Sequence, residues 1–332
     1  MGEMGLRKYE GTESDDKDKQ VILVFGASGM IGSAIMDLLL EGGREVIGVS
    51  SVDCDLRDPV AVQRLLRVIA PTLVIHAAGV VGGISANLEM GLSFGVDNAL
   101  ITVNVLRAAS DQQIPGLVYF GSSCCYPNDR RHRMMVSDLF TGEVESSSRA
   151  YALAKSLGIE LVIQARKQGL FWTNVIPANV YGPKDNFHLN YAHVVAALMR
   201  RFHEAKVTEA ERIVVRGSGV ARRQFLHAFD LAEAVARVAT ELKVASPVIN
   251  VAGDVETSIA ELCSSMAKVV GYTGSIVWDD SSPDGTPVKL LDDTSIREMG
   301  WVPRYGLLAG LEQTYEWFTA ASEAGEVRGY QA

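Results

Sequence analysis

The chain has 332 residues, 48% of them hydrophobic and 21% charged, and carries a formal net charge of −9 at pH 7. Acidity spread over both halves disfavours nucleic acid or an anionic membrane surface as the main partner, though local arginine clusters can still grip a phosphorylated ligand. No apolar run approaches the roughly 20 residues that cross a bilayer, no signal-peptide core opens the chain, and Cys54, Cys124, Cys125 and Cys263 follow no zinc spacing, so we expect a soluble, cytoplasmic chain without a metal.

This length suits a nucleotide-binding domain with a smaller partner. Residues 1–19 are polar and are expected to form a flexible leader. Residues 20–180 are assigned mainly to the nucleotide-binding domain and 181–330 mainly to a substrate domain, with the chain crossing back near 211–255. Gln20-Val21-Ile22-Leu23-Val24-Phe25 reads as a buried strand, and Gly26-Ala27-Ser28-Gly29-Met30-Ile31-Gly32 turns directly into an amphipathic helix over 33–41. Set between strand and helix, this G-x-x-G-x-x-G spacing is a dinucleotide turn: the glycines allow the tight turn, close approach of a pyrophosphate and close helix packing. The second strand, over 45–49, ends at Ser50-Ser51. A carboxylate there would bond the ribose 2′-hydroxyl of NAD and repel the phosphate of NADP, so the hydroxyls point to NADP(H), with Asp53 close by and Arg57 the nearest cation. Asp55 and Leu56 fall beside the adenine, where Asp55 can accept from the amino group. Asp58 before Pro59 suits a helix cap.

Leu73-Val74-Ile75-His76-Ala77-Ala78-Gly79 is the next buried strand, whose small final residues Ala77, Ala78 and Gly79 let backbone lie against the cofactor; His76 is read as a packed strand residue. Residues 80–84 follow as a flexible loop over the same edge. Asn98 and Asn104 lie on a helix over 96–109, and Asn98 is the candidate to bridge backbone to the catalytic pair through water. The strand Leu117-Val118-Tyr119-Phe120 ends in Gly121-Ser122-Ser123-Cys124-Cys125-Tyr126-Pro127, at the carboxyl edge where open α/β sheets bind ligands. A polar loop over 128–148 leads to a helix carrying Tyr151 and Lys155, four residues apart on one face. An ammonium beside a phenol lowers its pKa and fits it for acid/base work near neutral pH.

The strand and edge loop over 174–183, a helix over 192–204 with His193 and Arg200-Arg201, and the guanidiniums of Arg216, Arg222 and Arg223 come next. Later helices from Asp230, Ser258 and Leu307, short strands near Val248 and Ile276, and a turn-rich loop over 281–287 close the chain. The alternation predicts an α/β protein: a Rossmann-type doubly wound parallel sheet with a smaller carboxyl-terminal α/β substrate domain.

The glycine turn with Ser122, Tyr151 and Lys155 forms the Ser, Tyr-x-x-x-Lys pattern of the short-chain dehydrogenase/reductases, and the length resembles their extended branch. Val81-Gly82-Gly83-Ile84, Gly121-Ser122-Ser123-Cys124-x-Tyr126-Pro127, Pro177-x-Asn179-x-Tyr181-Gly182-Pro183-x-Asp185-Asn186-Phe187, His193-Val194, Arg201-Phe202-His203-Glu204-Ala205 and Pro283-Asp284-Gly285-Thr286-Pro287-x-Lys289 further resemble the GDP-L-fucose synthase family. That resemblance covers nearly everything after residue 19. It implies epimerisation of GDP-4-keto-6-deoxy-D-mannose at C3 and C5, then reduction at C4 by NADPH, in a homodimer. It implies Cys124 and His193 as base and acid, Ser122 and Tyr151 as donors to the enolate oxygen, and Lys155 on the nicotinamide ribose. By the same matching, Pro177, Asn179, Val180 and His193 join the cofactor site, while Val81, Ser122, Asn179, Arg201, Arg216, Arg223 and Asp284 face the nucleotide sugar.

Three departures bear on substrate choice: Arg216 stands where bacterial members usually carry Trp, residues 130–138 replace a Pro-x-x-Glu element, and Ser28 stands where bacterial members often carry Arg. They leave a related nucleotide-activated 4-keto sugar, a heptose or another deoxysugar, as the alternative. A 4,6-dehydratase would need carboxylates after Ser122, a plain C4 reductase would not need Cys124 with His193, and a non-catalytic dinucleotide sensor commonly loses Tyr or Lys.

Overall fold

The computed structural model describes residues 8–9, 20–279, 281 and 285–330. Most of the leader, and Asp284 in the covering loop, lie outside the described residues.

In chain order the elements are β1 (Lys8–Tyr9), β2 (Ile22–Phe25), α1 (Met30–Glu41), β3 (Val46–Val49), α2 (Pro59–Ile69), β4 (Leu73–His76), α3 (Ile84–Glu89), α4 (Gly91–Asp111), β5 (Gly116–Phe120), α5 (Arg149–Lys167), β6 (Phe171–Pro177) and β7 (Asn179–Tyr181). They continue with α6 (Val194–Val207), β8 (Arg212–Arg216), β9 (Arg222–His227), α7 (Ala228–Thr240), β10 (Val248–Val251), β11 (Glu256–Ser258), α8 (Ile259–Val270), β12 (Ser275–Asp279), β13 (Val288–Lys289), α9 (Thr294–Glu298) and α10 (Leu307–Glu323).

The main sheet runs β1-β3-β2-β4-β5-β6-β10, parallel except for β1, which pairs antiparallel with Val46 and Ile47. Strand order reverses between β2 and β4, and this switch point opens a crevice at their carboxyl ends. Residues alternate between the two faces. Leu23, Phe25, Val74, Leu117 and Tyr119 face one buried layer, while Ile22, Val24, Ile75 and Val118 face the other, as expected of strands covered by helices on both sides. A third apolar cluster holds α6, α8 and α10 against Ile213 and Val215 of β8. Beside it β9 pairs with β7, β11 and β13, and β8 pairs with β12.

The segment expected as a polar loop over 128–148 is more ordered than its composition suggests. Met134 and Leu139 are buried, the Met134 N–H donates to Leu290 O and Asp292 N–H returns to Met134 O, and the Asn250 amide also donates to Met134 O. The apolar side chains hidden among charges pull this segment into the core and tie it to the end of β13.

Candidate active site

Gly26 sits at φ +79, and a Cβ there would lie 2.8 Å from the Ala78 backbone nitrogen. A Cβ on Gly32 would come within 2.0 Å of the Gly26 carbonyl oxygen. Backbone crowding therefore demands glycine at both positions, and leaves the α1 amino terminus facing the crevice with no side chain in front of it. Gly29 caps α1, so the helix starts at Met30, three residues before the expected Ser33. Met30 and Ile31 form its first turn, and Ser28 is exposed. Ala77, Ala78 and Gly79 follow β4 at the same edge; Pro177 ends β6, with Asn179 and Val180 in β7 beyond it.

At the end of β3, Ser51 is exposed and Ser50 donates from its N–H (2.8 Å) and hydroxyl (2.6 Å) to Asp53, which turns that carboxylate back onto the strand end. Asp55 accepts from Arg57 at 2.9 Å, and this pairing holds its carboxyl below the usual range. Arg57 also lies 3.6 Å from Asp97, Leu56 is buried, and Asp58 caps α2 by accepting from Val60 and Ala61. These residues fit a dinucleotide: a glycine cradle, a small-residue edge and hydroxyls at the ribose end.

The β5 edge turns immediately into a short 3-10 helix over Ser123–Cys125, capped by Ser122, whose hydroxyl accepts from the Cys124 N–H at 3.2 Å. Cys124 faces Lys289, with Nζ 3.5 Å from Sγ. Burial works against the thiolate, but the Lys289 ammonium and the Ser122 and Ser148 hydroxyls outweigh it, so the thiol falls below its ordinary value; Glu145 opposes them. Cys125 differs: burial pushes its thiol up to about 11, and Sγ donates to Ala152 O.

Tyr151 shares this corner with Ser122 and Cys124, but not as expected. Burial, reinforced by Cys124 and Cys125, raises its phenol, and Ser122 opposes only in part. Lys155 is engaged elsewhere. That amine is buried, donates to Phe120 O at 3.1 Å and lies 5.0 Å from the centroid of the Tyr119 ring, and burial drops it to about 8. Helical spacing put the two on one face, but the carbonyl at the end of β5 captured the ammonium. Asn98 likewise takes a direct role, bonding Val80 through both its N–H and carbonyl, and Phe94 O besides. The loop over 80–84, expected to be flexible, is further held by Asn87 on Gly82 O and by Gly83 N–H on Tyr191 O; Val81 within it is exposed.

His193 is exposed at the amino terminus of α6, close to the buried Asp185, whose carboxyl is raised by burial against the opposing pull of His193. Arg201 on α6 and Arg216 at the end of β8 converge; burial and this like charge together lower Arg201. Arg223 on β9 pairs in register with Lys289. Arg200 and Arg222 are engaged in ion pairs, with Glu204 and Glu256. Sequence reasoning missed Lys289, Glu145 and Asp185 as site residues. Lys289 and Asp185 fall within motifs quoted for the family resemblance, but only their approach to Cys124 and His193 in space gives them a role.

Comparison with known proteins shows the family and the fold. Residues 22–252 match the model of the NAD dependent epimerase/dehydratase family. The chain is 41% identical over 310 residues to GDP-L-fucose synthase of Escherichia coli strain K12, covering 90% of this chain and 97% of that enzyme. It is 35% identical to GDP-L-colitose synthase of Yersinia pseudotuberculosis, covering 90% and 97%. Among solved structures it is similar to a GDP-L-fucose synthetase from Naegleria fowleri bound to NADP, with a TM-score of 0.83, 25% identity, and coverage of 96% and 100%.

Proposed function

The chain belongs to the NAD dependent epimerase/dehydratase family and, within it, to the GDP-L-fucose synthases, and from this we propose that it converts GDP-4-keto-6-deoxy-D-mannose to GDP-L-fucose. It is an NADP-dependent enzyme of epimerase and reductase type. When bound, NADPH supplies the hydride for C4, and the glycine turn, the Ala77–Gly79 edge and the Ser50–Ser51 hydroxyls would hold it.

The observation that carries this reading is the Cys124 thiol, drawn toward thiolate by Lys289 beside Ser122 and Tyr151. A plain reductase has no use for it. Protons α to the C4 ketone are acidic enough for a thiolate to remove, and His193 would return a proton to invert the carbon. Ser122 and Tyr151 would donate to the enolate oxygen. A phenol that burial keeps protonated suits this, and the same proton would then pass from Tyr151 to the C4 alkoxide. Arg201 and Arg216 repel one another, so a pyrophosphate between them would relieve that cost while gaining charge-assisted hydrogen bonds; Arg223 completes the cationic side. Asp284 is proposed as a further sugar contact from the family motif alone.

Arg216 and the 35% identity to a colitose synthase favour a second reading, in which the sugar is a related 4-keto deoxysugar or heptose. Incubation in D2O with NADPH and a panel of GDP-4-keto sugars, followed by NMR of the products, decides between them. GDP-L-fucose labelled at both C3 and C5 is expected. Turnover confined to another sugar, or product without label at either carbon, would reject the first reading.

No helix among the described residues is long and apolar enough to cross a membrane. The four described cysteines are free thiols. A base that must stay reduced fits a cytoplasmic enzyme. A homodimer is proposed from the apolar outer face of α4 and α5.

A further inference from the structure

Lys289 is held more firmly than a surface lysine. Its strand β13 pairs with β9 in the register Lys289 to Arg223, the next residues are tied to Met134 by backbone hydrogen bonds, and Leu291 N–H donates to the Gln224 side chain at 2.7 Å. Its side chain is 12% exposed, with Nζ 3.5 Å from Cys124 Sγ and 3.8 Å from Glu145 Oε2. Glu145 is fixed in turn, accepting from Ser147 at 3.0 Å and Thr286 at 3.2 Å. We propose that Lys289 and Glu145 are a pair of positioning residues acting through Cys124: the ammonium in contact with the sulfur favours its thiolate form, and the carboxylate limits how strongly it does so.

The surroundings leave few other sources of that effect. Ser122 and Cys125 face the sulfur from its own turn, Glu145 and Ser148 from the segment before α5, Tyr151 from α5, and Lys289 from β13, with Arg223 next to it on β9. Of these, Lys289 is the cation the structure puts in contact with the thiol. The inference deepens the reading of Cys124 as the base and rests on it. A base that works twice, once at each carbon, must return to thiolate between the two steps, and a fixed ammonium favours that return.

The test reads the sulfur with no sugar present. The full chain is treated with iodoacetamide from pH 5 to 10, and carboxamidomethylation of the Cys124 peptide is followed by mass spectrometry, with Cys124→Ser as the blank. Lys289→Met should raise the midpoint by about one pH unit or more and cut alkylation at pH 7 about tenfold. Lys289→Arg should restore most of it, and Glu145→Gln should move the midpoint down. An unchanged midpoint in Lys289→Met overturns the proposal. If that variant does not melt cooperatively, Glu145→Gln decides alone, and no downward shift there overturns it equally. The acidic limb of the kcat profile should follow the alkylation midpoints. Shifted midpoints with an unmoved limb would reject Cys124 as the base while leaving its electrostatic coupling to Lys289 intact.

Discussion

Taking a proton from a carbon next to a ketone needs a base, and a thiol out of water is a poor one unless a neighbour favours its charged form. Cys124 and Cys125 show both outcomes side by side: the first is drawn down by Lys289, and the second is pushed up by burial to about 11. Replacing Cys124 by Ser should therefore cut solvent deuterium incorporation at C3 and C5 by about 100-fold or more while leaving NADPH binding within about twofold, and unchanged exchange would remove Cys124 from its role. Tyr151 has the opposite task. Its phenol must keep a proton to give, so Tyr151→Phe should lower steady-state NADPH oxidation by about 100-fold or more, and near-normal turnover would refute the assignment. The family motif singled out Cys124 in the sequence, but the physical cause of the difference, a lysine from a distant strand, came only with the structure.

Elements bring these groups together through turns that few residues allow. Gly26 and Gly32 close the first turn without side chains, and Ser122 caps the short helix that aims Cys124. The long α4, expected over 96–109 and observed over Gly91–Asp111, packs on α5 and presents Leu92, Val96, Leu100 and Val103 outward, beside Leu153 and Leu157 of α5. Each is 40% or more exposed. Apolar rows that wide on two neighbouring helices are the feature that supports the proposed homodimer. Light scattering on the purified chain should give about twice its 35.9 kDa mass, and Leu100→Glu with Leu153→Glu should bring it to one copy with little change in melting temperature. A wild-type monomer would reject the homodimer.

Across the whole molecule, burial of neutral imidazoles makes stability depend on pH. His76 lies inside the sheet between the rings of Phe25 and Tyr119 without a hydrogen-bond partner among the described residues, and burial lowers it to about 3; His227 is lowered to about 4. Both values fall below the ordinary 6.5, so the unfolded chain binds more protons between them and stability must rise with pH over that window and fall as pH drops through it. Asp185 and Asp230, raised by burial, oppose this. Denaturant unfolding at pH 6.5 and pH 5 should show His76→Leu losing about 2 kcal/mol less than wild type over the interval, and equal losses would reject a neutral buried His76. The doubly wound sheet, the glycine turn and the cluster of Ser122, Cys124 and Tyr151 were legible in the sequence alone, because strand periodicity, glycine spacing and helical spacing are local and the chain writes them in order. The tertiary structure alone decided that Lys155 serves the Phe120 carbonyl, that Met134 and Leu139 anchor the segment 128–148 to the core, and that Lys289 meets Cys124. Each of those depends on which distant segment arrives, and a hydrogen bond or an electrostatic field is set by distance in space, not separation along the chain.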